Sequence, residues 1–223
     1  MQPPPRDAAL EARVAGVLAS MTLAQKVGQM TQAEIQHATP EDVRRYYLGS
    51  VLNGGGSWPG RSAQATPADW LALADAYHRA SLATGLAAPV PVIWGTDAVH
   101  GHNNIVGATI FPHNIALGAT RDAELVRRIG EATATEVAVT GEDWTFAPAV
   151  SVARDDHWGR TYESYSEDPA VVAELGAALV EGLADALERD GRLAVVAHQP
   201  ALPDVDRIDA GVGLVEAGGL HIT

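Results

Sequence analysis

Apolar positions in this chain fall into two rhythms that alternate from one end to the other. Over residues 7–20, Leu10, Val14, Val17 and Leu18 recur at helical spacing and predict a short amphipathic helix. Thr22-Leu23-Ala24-Gln25 then reads as a capping box, with Leu23, Val27 and Met30 forming the apolar stripe behind it. Thr39-Pro40-Glu41-Asp42 and Thr66-Pro67-Ala68-Asp69 repeat the start signal: a hydroxyl cap, proline in the first turn, and acids near the positive helix end. The second of these opens a helix with Trp70, Leu73, Ala74 and Tyr77 on one face. Longer helices are predicted over residues 120–139, carrying Leu125, Ile129, Ala132 and Val137, and over 169–187, carrying Val172, Leu175, Leu179 and Leu183.

Between the helical segments lie short runs that are apolar throughout. These are residues 49–53, 89–94, 144–152 and 193–197, four candidate strands. Continuously apolar strands separated by amphipathic helices are the pattern of a parallel sheet covered by helices, which predicts the α/β class. Such sheets build their sites at the carboxyl ends of the strands. Each unusual polar cluster falls at such an end: Gly54-Gly55-Gly56, residues 97–104, residues 154–168, and His198. The glycine run predicts a place where backbone comes close to something.

The cluster at 154–169 holds five carboxylates, two arginines, a histidine, one Trp and two Tyr, with no aliphatic side chain before Pro169. Polar and aromatic groups in a loop after a strand suit a polar ligand. Within it, Trp158-Gly159-Arg160 is the sharpest element. The guanidinium carries five fixed donors suited to a fork on vicinal hydroxyls, or to an internal salt bridge with Glu163 or Glu167. Asp168-Pro169 reads as a helix cap followed by the first helical position. After the second strand, Asp97 can accept from two adjacent sugar hydroxyls or close an Asx turn. His100 and His102 raise a metal reading, with His113 as a third member. An i, i+2 pair in a loop points its members apart, which favours histidines that hydrogen-bond the loop backbone. Phe111-Pro112-His113-Asn114 reads as packing without specific chemistry.

Charge and composition narrow the partners. With 28 acidic and 15 basic residues in 223, the formal charge is -13, which argues against nucleic acid or an anionic membrane as a partner. Hydrophobic residues make up 47% of the chain, enough to bury a sizeable core. There is no cysteine, so thiolate sites are excluded. The first residues lack the apolar run of a signal peptide, and the expectation is a cytoplasmic protein for the sequence as written, or a periplasmic or secreted one if the true start lies upstream.

The motifs at residues 21–30, 49–56, 96–104, 107–114 and 154–168 together resemble glycoside hydrolase family 3, in the branch of β-glucosidases and β-glucan exohydrolases. The resemblance implies an N-terminal (β/α)₈ barrel and retaining hydrolysis of terminal β-linked glucose, with no cofactor and a β-glucoside or oligosaccharide as the partner. It also implies that Asp97 and Arg160 bind the sugar, that His198 stands at a further sugar contact, and that Glu163, His102, Gly55 and Trp158 support them. The pattern departs at Ala197-His198-Gln199-Pro200, where the family has Lys-His-Phe, and it fades beyond. The expected organisation is a tail and short helix at 1–20, a partial barrel at 21–197, and a divergent tail at 198–223. A full barrel takes about 250 residues. The expectation is therefore that about half the strands are present, with no identifiable nucleophile or acid/base. Such a chain is expected to be inactive alone and to self-associate through its exposed barrel edges. The alternatives are a metal-dependent barrel hydrolase using the His100 and His102 loop, and a non-catalytic sugar-binding fragment.

Overall fold

The computed structural model describes the backbone of residues 7–190 and 194–195, and side chains through residue 185. The elements run α1 (Ala8–Ser20), α2 (Leu23–Gln29), β1 (Gln32–Glu34), α3 (Pro40–Tyr46), β2 (Ser50–Asn53), α4 (Pro67–Leu82), β3 (Ile93–Thr96), α5 (Asn114–Thr120), α6 (Ala123–Ala138), β4 (Trp144–Thr145), α7 (Pro169–Asp190) and β5 (Ala194–Val195), with single 3₁₀ turns at Pro59–Arg61 and Thr161–Glu163.

The five strands form one sheet in the order β1-β2-β3-β4-β5, every pair parallel. Strand order equal to chain order means that each crossover steps one place in the same direction. That is how a (β/α) barrel is wound; in a doubly wound sheet the order reverses at a switch point. Within the described residues the sheet does not close.

Three helix starts follow the threonine signals. Thr22, Thr39 and Thr66 each form a complete capping box, with Gln25, Asp42 and Asp69 as the reciprocal partners. Two expectations change. The first is β1, a polar three-residue strand that no apolar run announces; it makes the sheet five-stranded rather than four. The second is the apolar run at 144–152, where only Trp144–Thr145 forms a strand and Ala149 adds a single bridge. Pro148 has no N–H to give a ladder, and the rest of the run is buried as irregular chain.

Register decides which face each strand residue serves. Val51 pairs with Trp94, and both belong to the core with Trp70 and Tyr77 of α4 and Val43 of α3. The Trp70 and Trp94 rings stack 5.7 Å apart, and Tyr77 meets Trp94 edge-on at 5.5 Å. A second core lies between α6 and α7, built from Val126, Ile129, Val137, Val172, Leu175, Leu179 and Leu183, with Tyr165 and Val152 from the β4–α7 connection. The opposite sheet face carries Leu52, Ile93 and Gly95, and Ile93 is 48% exposed. The stripe expected to bury α1 and α2 also faces solvent among the described residues: Leu23 is 78% and Met30 86% exposed, and α1 buries no residue. No described helix is long and apolar enough to cross a membrane.

Candidate functional site

The carboxyl ends of β2, β3 and β4 bring three loops together, and buried polar side chains hold each one. Asn53, the last residue of β2, is fully buried; it donates to Thr96 Oγ1 at 2.9 Å and accepts from Trp94 Nε1 at 2.7 Å. This ties the ends of β2 and β3 together just where the glycine loop and Asp97 begin. In the glycine loop, Gln36 donates to the Gly56 carbonyl and the Ser57 hydroxyl, each at 3.0 Å, and Gly56 N–H donates to Asn104 Oδ1 at 3.4 Å. Among the described residues no other part of the chain packs closely on the first two glycines of this run. A Cβ on Gly54 or on the exposed Gly55 would meet open space, and it is Gly56, at φ +90°, whose conformation requires glycine.

Arg160 stands at the mouth of the 154–168 loop. Its Nε donates to Glu163 Oε1 at 2.7 Å and its Nη2 to Glu163 Oε2 at 2.6 Å, a planar fork on a carboxylate. The arginine side chain is 45% exposed while that of Glu163 is 9% exposed. The Glu163 hydrogen bonds, and less strongly the Asp97 charge, raise the Arg160 pKa above its ordinary value. Asp97 is half-buried one residue beyond β3, within electrostatic range of that guanidinium. Of the two acids offered as the arginine's partner, Glu163 takes the role, and Glu167 is exposed. The loop tip is a turn closed on itself. Asp155 accepts from His157 N–H at 2.9 Å and from its ring at 3.0 Å, which lowers the Asp155 pKa. Half-buried Trp158 contributes its carbonyl, which accepts from Thr161 N–H and hydroxyl at 3.0 and 2.9 Å. Asp168 caps α7 through Ala170 N–H at 2.9 Å.

The histidines part company. His100 lies against His113, ring centroids 4.2 Å apart, and His113 meets Tyr162 edge-on at 4.7 Å. His100 Nδ1 donates to the Phe111 carbonyl at 3.2 Å, as expected of a loop-bonding histidine. His102 instead turns into the shell between α4 and the α6–β4 turn. It is fully buried, 2.7 Å from Glu142 Oε2 and 3.1 Å from Thr140 Oγ1, with Trp70 edge-on at 5.8 Å. The three-histidine set of the metal reading is therefore not assembled, and no three His, Asp or Glu side chains among the described residues are grouped to hold a metal. His198 lies outside the described residues. A cavity of about 420 Å³, lined by Tyr77, His78, Pro91, Trp94 and Asp143, opens at the amino ends of β3 and β4, away from Asp97 and Arg160.

Residues 22–216 match the model of the glycosyl hydrolase family 3 N terminal domain, which carries the match past Ala197. The chain belongs to glycoside hydrolase family 3. Among curated family members, the lysosomal beta glucosidase of Dictyostelium discoideum is 32% identical over 183 residues, covering 76% of this chain and 22% of that protein. Among solved structures, the exo-1,3/1,4-beta-glucanase of a Pseudoalteromonas species superposes with a TM-score of 0.81 at 48% identity, covering 87% of this chain and 25% of that one. A beta-glucosidase from Listeria innocua, solved in complex with laminaribiose, superposes with a TM-score of 0.63 at 28% identity, covering 84% and 26%. This family 3 chain thus spans about a quarter of the length of the relatives it matches.

Sequence reasoning passed over four buried polar residues of the site: Asn53, Asn104, Asn114 and Glu142. Asn53 closes an apolar run, where a polar residue is costly unless paired, whereas Glu142 lies in the polar turn before β4 and is marked by no such pattern. For Asn53 that cost is the signal by which it could have been found.

Proposed function

We propose that this chain supplies the sugar-holding part of a retaining glycosidase that removes terminal β-linked glucose from β-glucosides and oligosaccharides. Asp97 and Arg160 grip adjacent hydroxyls of the terminal sugar, Glu163 holds Arg160, Trp158 and Gly55 border the opening, and His198 adds a further contact. The observation that carries this reading is the half-exposed Arg160 locked on a nearly buried Glu163, with Asp97 in electrostatic range. A guanidinium so held has little freedom left to lose on binding, and its exposed side still faces the opening where hydroxyls would arrive. The relatives named above, a β-glucanase and β-glucosidases, supply the substrate class.

Retaining hydrolysis needs two carboxyls about 5–5.5 Å apart on either side of the bond. Neither a nucleophile nor an acid/base is assigned among the described residues, so this chain by itself binds sugar without cleaving it. Titration with laminaribiose tests the reading. Saturable binding is expected, weakened about tenfold or more by Asp97→Ala, the loss of a charged hydrogen-bond acceptor. Binding indifferent to Asp97→Ala would defeat the assignment, and release of p-nitrophenol from its β-glucoside by the same chain would defeat the binding-only part.

The exposed Ile93 face and the Leu23, Val27 and Met30 stripe support a second element of the proposal, self-association of this chain. Sedimentation of a concentration-independent monomer would remove it.

A further inference from the structure

The segment Phe111-Pro112-His113-Asn114, which carries no chemical signal as sequence, is where α5 begins, and its side chains touch both sugar-facing loops. Asn114 is 3% exposed, and its Nδ2 donates to the Glu163 carbonyl at 2.8 Å and reaches the Ala149 carbonyl at 3.5 Å. These two carbonyls lie on either side of Arg160 in the connection from β4 to α7. One amide therefore closes the base of the loop. Two further links continue the closure: the Ser151 and Ser164 hydroxyls at 2.9 Å, both buried, and Ala153 N–H to the Ser166 carbonyl at 3.2 Å.

One helical turn beyond Asn114, on the same face of α5, Gly118 lets the chain at Tyr165 lie directly on the helix. A Cβ there would sit 1.6 Å from the Tyr165 carbonyl oxygen. Beside Asn114, His113 bridges from Tyr162 to His100, on the loop that follows Asp97.

We propose that Asn114 is a positioning residue for the sugar site: by holding the Glu163 carbonyl it sets where the Glu163 carboxylate stands, and so where Arg160 points its guanidinium. The residue touches no substrate. Its effect passes through one peptide unit and one bidentate ion pair, and a clamp loosened at its base loses aim before it loses charge. This deepens the sugar-binding reading and rests on it.

The test uses the full 223-residue chain, ¹⁵N-labelled, with two readouts. The first is the Arg160 Nε–H resonance, assigned by its disappearance in Arg160→Lys. Its hydrogen bond to Glu163 predicts a shifted, slowly exchanging signal. The second is the Kd for laminaribiose. In Asn114→Ala the Arg160 signal is expected to move to the position of a solvated arginine and the Kd to rise about tenfold, the scale of a weakened charged hydrogen bond. Val43→Ala, which opens the other core at a fully buried position on α3, controls for general loosening and is expected to change neither readout. A folded Asn114→Ala chain with both readouts unchanged overturns the proposal. Should Asn114→Ala fail to fold, Asn114→Ser is read by the same two outcomes. If the unsubstituted chain does not bind laminaribiose, the sugar reading fails, and the Arg160 resonance alone decides whether Asn114 positions the arginine.

Discussion

Two pairs of a nitrogen base and a glutamate flank the same sheet, and they are built for opposite purposes. His102 and Glu142 meet at 2.7 Å with both side chains fully buried, walled by Trp70 and Thr140. Arg160 and Glu163 meet through two bonds of similar length, but only the acid is buried while the arginine stands 45% exposed. In the first pair neither partner can reach a ligand, and its free energy goes into holding the loop after β3 against α4 and the α6–β4 turn. In the second, the buried acid fixes the direction of a cation that still faces solvent. A glutamate beside a base says little about function; which partner water can reach says a good deal.

The comparison is broken most severely at the closed pair. Glu142→Ala leaves the His102 ring buried with only Thr140 as its remaining hydrogen-bond partner among the described residues, and is expected to cost about 3 kcal/mol of stability. Chemical denaturation of the variant measures it. Glu142→Leu, which fills the space, should do no better, because the buried ring still trades a charged hydrogen-bond partner for Thr140 Oγ1 alone. A loss below about 1 kcal/mol, the range of exposed pairs, would place the two pairs in one class and undo the contrast.

At the open pair the expected effect moves from stability to binding. Arg160→Lys keeps the charge and loses the fork, so the midpoint of unfolding should shift by no more than about 1 kcal/mol, while laminaribiose affinity falls about tenfold. Equal losses in stability and binding would show that the arginine serves the fold in the way His102 does.

How much of this was legible in the sequence follows from what each feature depends on. The threonine-led helix starts were readable because a capping box is satisfied within four residues. The parallel α/β class was readable because short apolar runs alternate with amphipathic helices, the pattern of a parallel sheet covered by helices. β1 was not, since Gln32 and Glu34 lie on the half-covered sheet face and only Ala33 turns toward the core. Asp97 stood out as a polar group just beyond a strand, and Arg160 as a guanidinium in the long polar loop that follows the next one. The direction of His102 did not, because it depends on Glu142 and Thr140, about 40 residues away in the chain. Asn114 was hidden for the same reason: its partners, Ala149 and Glu163, are carbonyls, and any residue type carries one.

The smallest effect lies where α5 joins the two loops. Burial first, and the adjacent His100 second, lower the His113 pKa below its ordinary value, against the opposing pull of Glu163. In the unfolded chain His113 takes up its proton near pH 6.5, but folded it does so only at lower pH. Between those two values the unfolded state binds more protons, so stability rises with pH there and is lost as pH falls through that window. Comparing unfolding midpoints at about pH 7.5 and about pH 5.5, on either side of the ordinary histidine value, tests this. The unsubstituted chain should lose more stability on acidification than His113→Asn, which does not titrate. Because Tyr162 lies on the His113 ring two residues from Arg160, laminaribiose affinity should fall over the same pH interval in the unsubstituted chain and flatten in His113→Asn. A pH slope that survives the substitution would assign the titration to another group and leave the His100–His113 contact a matter of packing alone.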